Sequence, residues 1–220
     1  MGFLNSLFGG KSKTTSEIPP EIIAIMEKIR KYMEDEDLQN SNIDPSRRDM
    51  VTGGLAVDEL PDGVGEFGRS AENPIPVNGV MGELIYLSRL MTNDTKQRLL
   101  FHRIGSVNAI DVYETVSIDG RNWDILFLSL YHPRKSRKAP AGYQIADSKS
   151  QPLIYGTNRR VSQFPVGLQK AIAATTEELI GVSLAPSEVR QAEEEIVFRR
   201  PDNHERRGKT ASQNVAAWRE

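Results

Sequence analysis

Apolar residues recur at three- and four-residue spacing after the pair Pro19-Pro20, which is typical of an amphipathic helix. Proline suits the first position of a helix, so the pair marks its start. The acidic run Glu34–Asp37 opposes the negative end of the helix dipole and predicts that the helix ends there. The apolar stripe consists of Ile22, Ile25, Met26, Ile29, Tyr32 and Met33.

The next forty positions, 39 to 79, have little periodicity and many glycines. Such a long irregular stretch in a compact domain is usually functional or disordered. We expect residues 39–62 to form a poorly ordered loop. The second half should pack on the domain through Phe67, Ile75 and Val77, and a short helix should follow near Met81.

Alternating and continuous apolar runs predict three strands between residues 99 and 131. Asp119-Gly120 is a two-residue hairpin signal that pairs Val116 with Trp123 and Ile110 with Ser129. The run 125–131 is apolar on both sides, which predicts a central strand covered on both faces. The segment 152–155 is a candidate fourth strand beside it.

Two further helices close the pattern, one over about 163–180 with Gly181 as its stop and one starting near Pro186. The expected fold is therefore α+β: a small antiparallel meander sheet of three to four strands flanked by helices. We expect one domain over residues 16–200, a flexible N-terminal segment 1–15 and a mobile tail 201–220.

The composition restricts the class of protein but says little about its function. The chain of 220 residues has a net charge of -2 and no cysteine, which excludes disulfides and thiol chemistry. These features, and the lack of an apolar run of about 20 residues, favour a cytoplasmic location. Residues 3–8 could touch a membrane surface, but a frayed terminal turn is the favoured interpretation.

The first candidate for chemistry is His102 with Asp111. If residues 105–108 form a four-residue loop, His102 lies opposite Asp111 and Leu100 opposite Tyr113. A carboxylate beside an imidazole orients the ring and raises its pKa, as a general base requires. The competing interpretation is a structural or merely exposed histidine.

The second candidate is a basic loop directly after the predicted central strand. Four cations stand within five residues there, between two prolines, and could bind phosphate, a carboxylate or an acidic protein surface. A solvated loop is the alternative, and the scarcity of aromatic residues disfavours nucleic acid. The candidate ligand-binding residues are Arg103, His132, Arg134, Lys135, Arg137 and Lys138.

Cofactor and metal signals are poor. Three histidines, His102, His132 and His204, do not suggest a metal site. Gly63, Gly65 and Gly68 match the spacing of a dinucleotide fingerprint, but no strand precedes them and no helix opens after them. We therefore expect neither a cofactor nor a metal.

Several short blocks of the sequence form a recognisable pattern: Gly65–Gly68, Asn73–Val77, Tyr86–Leu90, Phe101–Ser106 and Tyr131–Arg134. Together they resemble a bacterial domain family of unknown function. The resemblance covers about a third of the chain and implies a bacterial cytosolic protein, but it brings no activity and no catalytic residues.

Two functions remain open at this level. The favoured one is a binding or interaction module that recognises an anionic ligand or an acidic partner surface through the basic loop. The alternative is a hydrolase or nuclease acting on a phosphate-containing substrate, with His102 as base and Asp111 as its orienting partner. The sequence does not decide whether the protein is an enzyme.

Overall fold

The computed structural model describes residues 20–147, 154–181, 183, 187–196, 205–206 and 209–210. The predicted segment 1–15 and most of the predicted tail 201–220 lie outside these ranges. The helices are α1 (Pro20–Glu34), α2 (Glu36–Ser41), α3 (Pro45–Thr52), α4 (Gly79–Arg89), α5 (Leu168–Ile180) and α6 (Ser187–Ile196). The strands are β1 (Ile75–Pro76), β2 (Leu90–Thr92), β3 (Leu99–Val107), β4 (Ile110–Ser117), β5 (Trp123–Ser129), β6 (Tyr143–Ile145), β7 (Gly156–Thr157), β8 (Glu205–Arg206) and β9 (Lys209–Thr210).

The α+β class is confirmed, but the main sheet is mixed and not a pure meander. Its five strands have the order β1-β5-β4-β3-β7. The predicted antiparallel meander β3-β4-β5 forms the middle, and β1 and β7 join its edges in parallel. Each edge strand has only two residues, too few to show an alternating pattern. The described residues also form two small ladders, β2-β6 and β8-β9.

The predicted fourth strand was misplaced. The observed strand β7 begins at Gly156 and pairs with β3, whereas β1 takes the place beside β5. Pro152 and Leu153, part of the predicted strand, lie outside the described residues. Because β1 and β7 flank the meander, β4 is the central strand and β5 is its buried neighbour.

The predicted register of β4 and β5 is confirmed, from Ile110 opposite Ser129 to Val116 opposite Trp123. The turn itself spans Ser117–Gly120, because the Gly120 N–H donates to the Ser117 carbonyl at 2.7 Å. Gly120 has φ 74, a left-handed conformation that suits glycine. The turn signal therefore set which side chains share a face, although the reversal starts before Asp119.

The predicted register of β3 and β4 is wrong. The chain reverses at Asn108 and Ala109, both with positive φ, instead of over residues 105–108. A β-bulge between Arg103 and Gly105 then moves the pairing back by one residue. His102 therefore lies opposite Glu114 and not Asp111, and Leu100 lies opposite Val116 and not Tyr113.

The two faces of the sheet bury separate cores. Helix α4 and the loop before it cover one face, where Leu87, Phe101 and Tyr113 belong to the larger apolar cluster. Helices α5 and α6 supply residues to a second cluster, with Leu100 and Val116 from the sheet. The predicted burial of Phe67, Ile75 and Val77 is confirmed in the first cluster.

The first part of the predicted loop 39–62 is ordered, because residues 39–41 end helix α2 and residues 45–52 form helix α3. The Asp35 carboxylate accepts a hydrogen bond from the Leu38 N–H at 2.8 Å and caps α2. Asp44 caps α3 in the same way through the Ser46 N–H, and Pro45 is the first helical residue. The acidic run after α1 thus ends one helix and starts another.

The other predicted helices are confirmed with shifted ends. Helix α4 starts at Gly79, and α5 starts at Leu168, later than predicted. Gly181 ends α5 with φ 70, as its stop signal indicated. None of the described helices has the length and apolar character needed to cross a membrane.

Candidate functional site

Three of the four cations in the basic loop after β5 pair with carboxylates of the same chain, and the fourth, Arg137, donates its backbone N–H to Asp58 at 2.8 Å. Arg134 forms an ion pair with Asp58 at 2.6 Å, and Lys135 forms one with Glu36 at 3.1 Å. Lys138 pairs with Glu59. Hydrogen bonds from Arg134 and Lys138 hold the pKa values of Asp58 and Glu59 below their usual range. We call this assembly, residues 132–138 with 55–59 and Glu36, the clamp.

His132 belongs to the clamp as a structural histidine. Its Nδ1 lies 2.8 Å from the Leu55 carbonyl, and its Nε2 lies 3.1 Å from the Ser129 hydroxyl. A carbonyl only accepts, so Nδ1 carries the proton and Nε2 accepts from Ser129. Burial lowers the pKa of His132 and keeps the ring neutral. Nδ1 therefore holds the 55–59 segment, and Nε2 ties the ring to Ser129 at the end of β5.

His102 is buried inside the sheet and pairs with Glu114. Its Nδ1 accepts the Val161 N–H at 3.0 Å, so the Nε2 proton faces the Glu114 carboxylate, also at 3.0 Å. The ring stacks on Phe164 with centroids 4.3 Å apart. The predicted partner, Asp111, instead binds Arg103, with Nη2 and Oδ1 2.8 Å apart. The pairing required by the hydrolase or nuclease interpretation is thus not formed.

A carboxyl pair between α4 and β4 was not foreseen. Glu83 is fully buried and accepts a hydrogen bond from the Tyr113 hydroxyl at 3.0 Å. Burial, together with the nearby Asp111 charge, raises the pKa of Glu83 well above its usual range. Burial also raises the pKa of Asp111, despite its ion pair with Arg103. Both pKa shifts are in the direction that favours a protonated carboxyl at this buried site, near the partly exposed Arg103.

A groove with a volume of about 940 Å³ lies between the helices on the side of α1. Helices α1, α2 and α3 form one wall, while the start of α4, the end of β5 and the last turns of α5 contribute the rest. Pockets that hold small molecules usually have a volume of about 300–1,000 Å³. The aliphatic lining consists of Ile29, Leu38, Ile43, Val51, Val80, Met81, Leu130 and Leu179.

The charges that line the groove are not balanced. Lys28, Lys31 and Arg47 line it and are exposed, and none of them forms an ion pair with a described residue. The two acidic lining residues are already engaged. Asp44 caps α3, and Glu178 pairs with Arg159. The Asp44 carboxylate also attracts Arg47, so the groove presents an excess of positive charge, centred on Lys28 and Lys31, beside an apolar wall.

The first turn of α4 adds hydrogen-bond donors to this charge. Val80 and Met81 line the groove, and their backbone N–H groups find no acceptor in the described part of the chain. Asn78, which precedes the helix, does not cap it because its amide donates to Gln39 and Asn40. Its buried Oδ1 also has no partner among the described residues. Uncapped amides at a helix start attract anions.

The described residues include no group of three or more His, Asp or Glu side chains arranged to hold a metal ion. Comparisons with known proteins add no identity. No family model matches the chain, and neither a curated protein nor a solved structure shows significant similarity to it.

Sequence reasoning missed all three groove cations. Lys28 and Lys31 lie about one turn apart on α1, outside the apolar stripe that predicts this helix. Arg47 follows Asp44-Pro45-Ser46, which is a helix-start signal inside the region expected to be a loop. That signal could have predicted helix α3, but it could not have shown whether Arg47 forms an ion pair.

Proposed function

We propose that the protein is a binding module for an anionic ligand and that the groove is its site. The observation that carries this proposal is the pairing state of the cations. Lys28, Lys31 and Arg47 form no ion pair within the described chain, although they surround a cavity large enough for a small molecule, and Arg47 interacts with the Asp44 carboxylate only at longer range. An anion in the groove would neutralise charge that the protein leaves unpaired.

The pairing of the cations in the clamp also favours the groove as the binding site. Arg134, Lys135 and Lys138 have the sequence pattern of an anion site, but each already meets a carboxylate. A ligand there would first have to displace Asp58, Glu36 or Glu59. Exchanging one ion pair for another leaves little net gain, because the attraction to the internal carboxylate is lost.

The test is binding of an anionic fluorophore, 8-anilinonaphthalene-1-sulfonate, to the full chain at low salt. The variant carries Lys28→Gln, Lys31→Gln and Arg47→Gln. Because exposed charge pairs contribute about 0.2–1 kcal/mol each, we expect the affinity to fall roughly tenfold. The effect should shrink as salt screens the groove cations.

The matched control carries Arg121→Gln, Arg160→Gln and Lys170→Gln. These exposed cations lie outside the groove, and their replacement changes the net charge by the same amount. We expect the control to keep the wild-type affinity within about twofold, as for sites without contact to the ligand. Equal losses in both triple variants would show a general charge effect and remove the proposal.

A further inference from the structure

We infer that the ligand is a single-chain amphiphile, with one carboxylate or phosphate head on an aliphatic chain, bound as a free monomer. This inference rests on the proposed function and extends it from the charged head to the body of the ligand. The observation behind it is the division of the groove into an aliphatic wall and a group of unpaired cations.

The wall matches a chain better than a ring system. Aliphatic side chains from all the contributing helices line it, including Ile29, Ile43, Val80 and Leu179. The described aromatic lining is limited to Tyr32 and Tyr131. Flat ligands are usually held between aromatic faces, whereas a flexible chain gains from aliphatic contact alone.

The polar side chains that line the groove offer few hydrogen-bond partners to a polar ligand. The Gln39 amide is used by the Tyr32 carbonyl, Asn78 and Lys135. The Asn42 amide nitrogen donates to the Leu38 carbonyl. A sugar or a base would lose its bonds to water without replacement here, and that loss is unfavourable. An alkyl chain loses none.

The head would lie where the charge is. Lys28 and Lys31 face the same side of α1 at a spacing of three residues. Arg47 on α3 and the free amides of Val80 and Met81 line the same groove. Cationic side chains and helix-start amides both suit a carboxylate or phosphate oxygen.

The experiment is calorimetric titration of the full chain with straight-chain carboxylates from butyrate to decanoate, each kept monomeric. Burial of a methylene contributes about 0.8 kcal/mol, so the affinity should rise roughly fourfold per added methylene until the groove is filled. Octylammonium combines an alkyl chain with a positive head. It should bind at least tenfold more weakly than the straight-chain carboxylate of equal length.

A matched pair of variants places the chain in the groove. Leu179 lines the groove and is 37% exposed, whereas Val166 lies outside it and is 38% exposed. Both sites tolerate a polar side chain without burying a charge. Leu179→Glu should lower decanoate affinity roughly tenfold through lost contact and like-charge repulsion, and Val166→Glu should leave it unchanged within about twofold.

The outcomes separate the two proposals. If the affinity does not depend on chain length but falls in the triple Gln variant, the inference of an alkyl chain is wrong and the proposed anion site is retained. An affinity that rises with chain length equally for carboxylate and octylammonium-type heads would overturn the anion site. Groove-dependent sedimentation with phosphatidylglycerol vesicles, without binding of any monomeric carboxylate, would overturn the free monomer as ligand.

Discussion

The clamp and the groove place the same kinds of side chain in opposite states. In the clamp, Arg134, Lys135 and Lys138 meet carboxylates that are 76 to 99 residues distant in the chain. In the groove, Lys28, Lys31 and Arg47 come from neighbouring helices and meet none among the described residues. A cluster of cations in the sequence thus marks a structural joint, and a scattered set marks the candidate site.

The comparison shows that a dense cluster of cations in the sequence does not mean that those cations are available to bind a ligand. The clamp uses its cations to fasten α2 and the 55–59 segment to the end of the sheet. The same fastening positions α2 and α3, which form part of the groove wall. Under the proposed function, the clamp acts on ligand binding through stability, and the groove cations act on it through contact.

Breaking the close backbone contact beside the clamp, between Gly54 and Tyr131, should have the largest effect. A Cβ on Gly54 would lie 2.0 Å from the Tyr131 carbonyl oxygen, so Gly54→Ala forces the two segments apart. Overpacking usually costs about 1–3 kcal/mol, and we expect the upper end in urea unfolding.

Gly142→Ala is the control for Gly54→Ala. Gly142 has φ +86 and open space around its would-be Cβ, so only backbone strain of about 1–2 kcal/mol applies. If Gly54→Ala proves no more destabilising than Gly142→Ala, the close docking of the clamp is wrong.

Removing the buried clamp cation should have the next largest effect. Lys135 is 8% exposed in its side chain, donates to Gln39 at 2.9 Å and pairs with Glu36. Lys135→Met keeps the volume but removes these bonds, which should lower the free energy of unfolding by about 1–3 kcal/mol. Lys28→Met in the groove should change it by less than about 0.5 kcal/mol. Similar losses from both would erase the distinction between the two regions.

Glu83 sharpens the comparison because its pKa shift is opposite to that of the clamp carboxylates. Its pKa is raised in the folded protein, so unfolding releases a proton and stability falls as pH rises above the unfolded value of about 4.3. Glu83→Gln keeps the acceptor for Tyr113 and removes this titration.

The stability of Glu83→Gln relative to wild type should therefore grow from about pH 5 to pH 8, by roughly 1 kcal/mol or more. For Asp58→Asn the sign is reversed. The lowered pKa of Asp58 stabilises the fold above about pH 4, and this contribution disappears at lower pH. Thermal unfolding at several pH values measures both. A difference for Glu83→Gln that does not change with pH would contradict the buried neutral carboxyl.

The exposed clamp pair should have the smallest effect. The side chains of Lys138 and Glu59 are 46% and 37% exposed, and water screens their attraction. Lys138→Ala should lower the free energy of unfolding by less than about 1 kcal/mol. A loss as large as that of Lys135→Met would mean that exposure does not set the strength of these pairs.

Sequence patterns predicted the parts of the fold that local chemistry determines. The turn at Gly120 set the β4–β5 register, because side chains alternate strictly once one pair is fixed. The β3–β4 register failed because Ala109 adopts positive φ without a turn signal, and because no pattern marks the bulge after Arg103. The parallel edge strands were too short to predict.

The candidate site was the least predictable feature. Asp58, Glu59 and Glu36 neutralise cations of the basic loop. They reach the loop only through the tertiary fold, so a local sequence pattern does not reveal these pairs. Likewise, His102 met Glu114 instead of Asp111 through a register change that composition does not encode. The sequence drew attention to the basic loop and to His102 but did not show which carboxylates they meet, and it gave no signal for the groove cations.

The most direct test of this account is an amide NMR titration of the isotopically labelled full chain with decanoate. We predict saturable shift changes at residues 28–32, 43–47 and 79–81, where the groove and the start of α4 lie, and only small changes at 132–138. Shift changes that are largest at 132–138, with the groove amides unaffected, would contradict it.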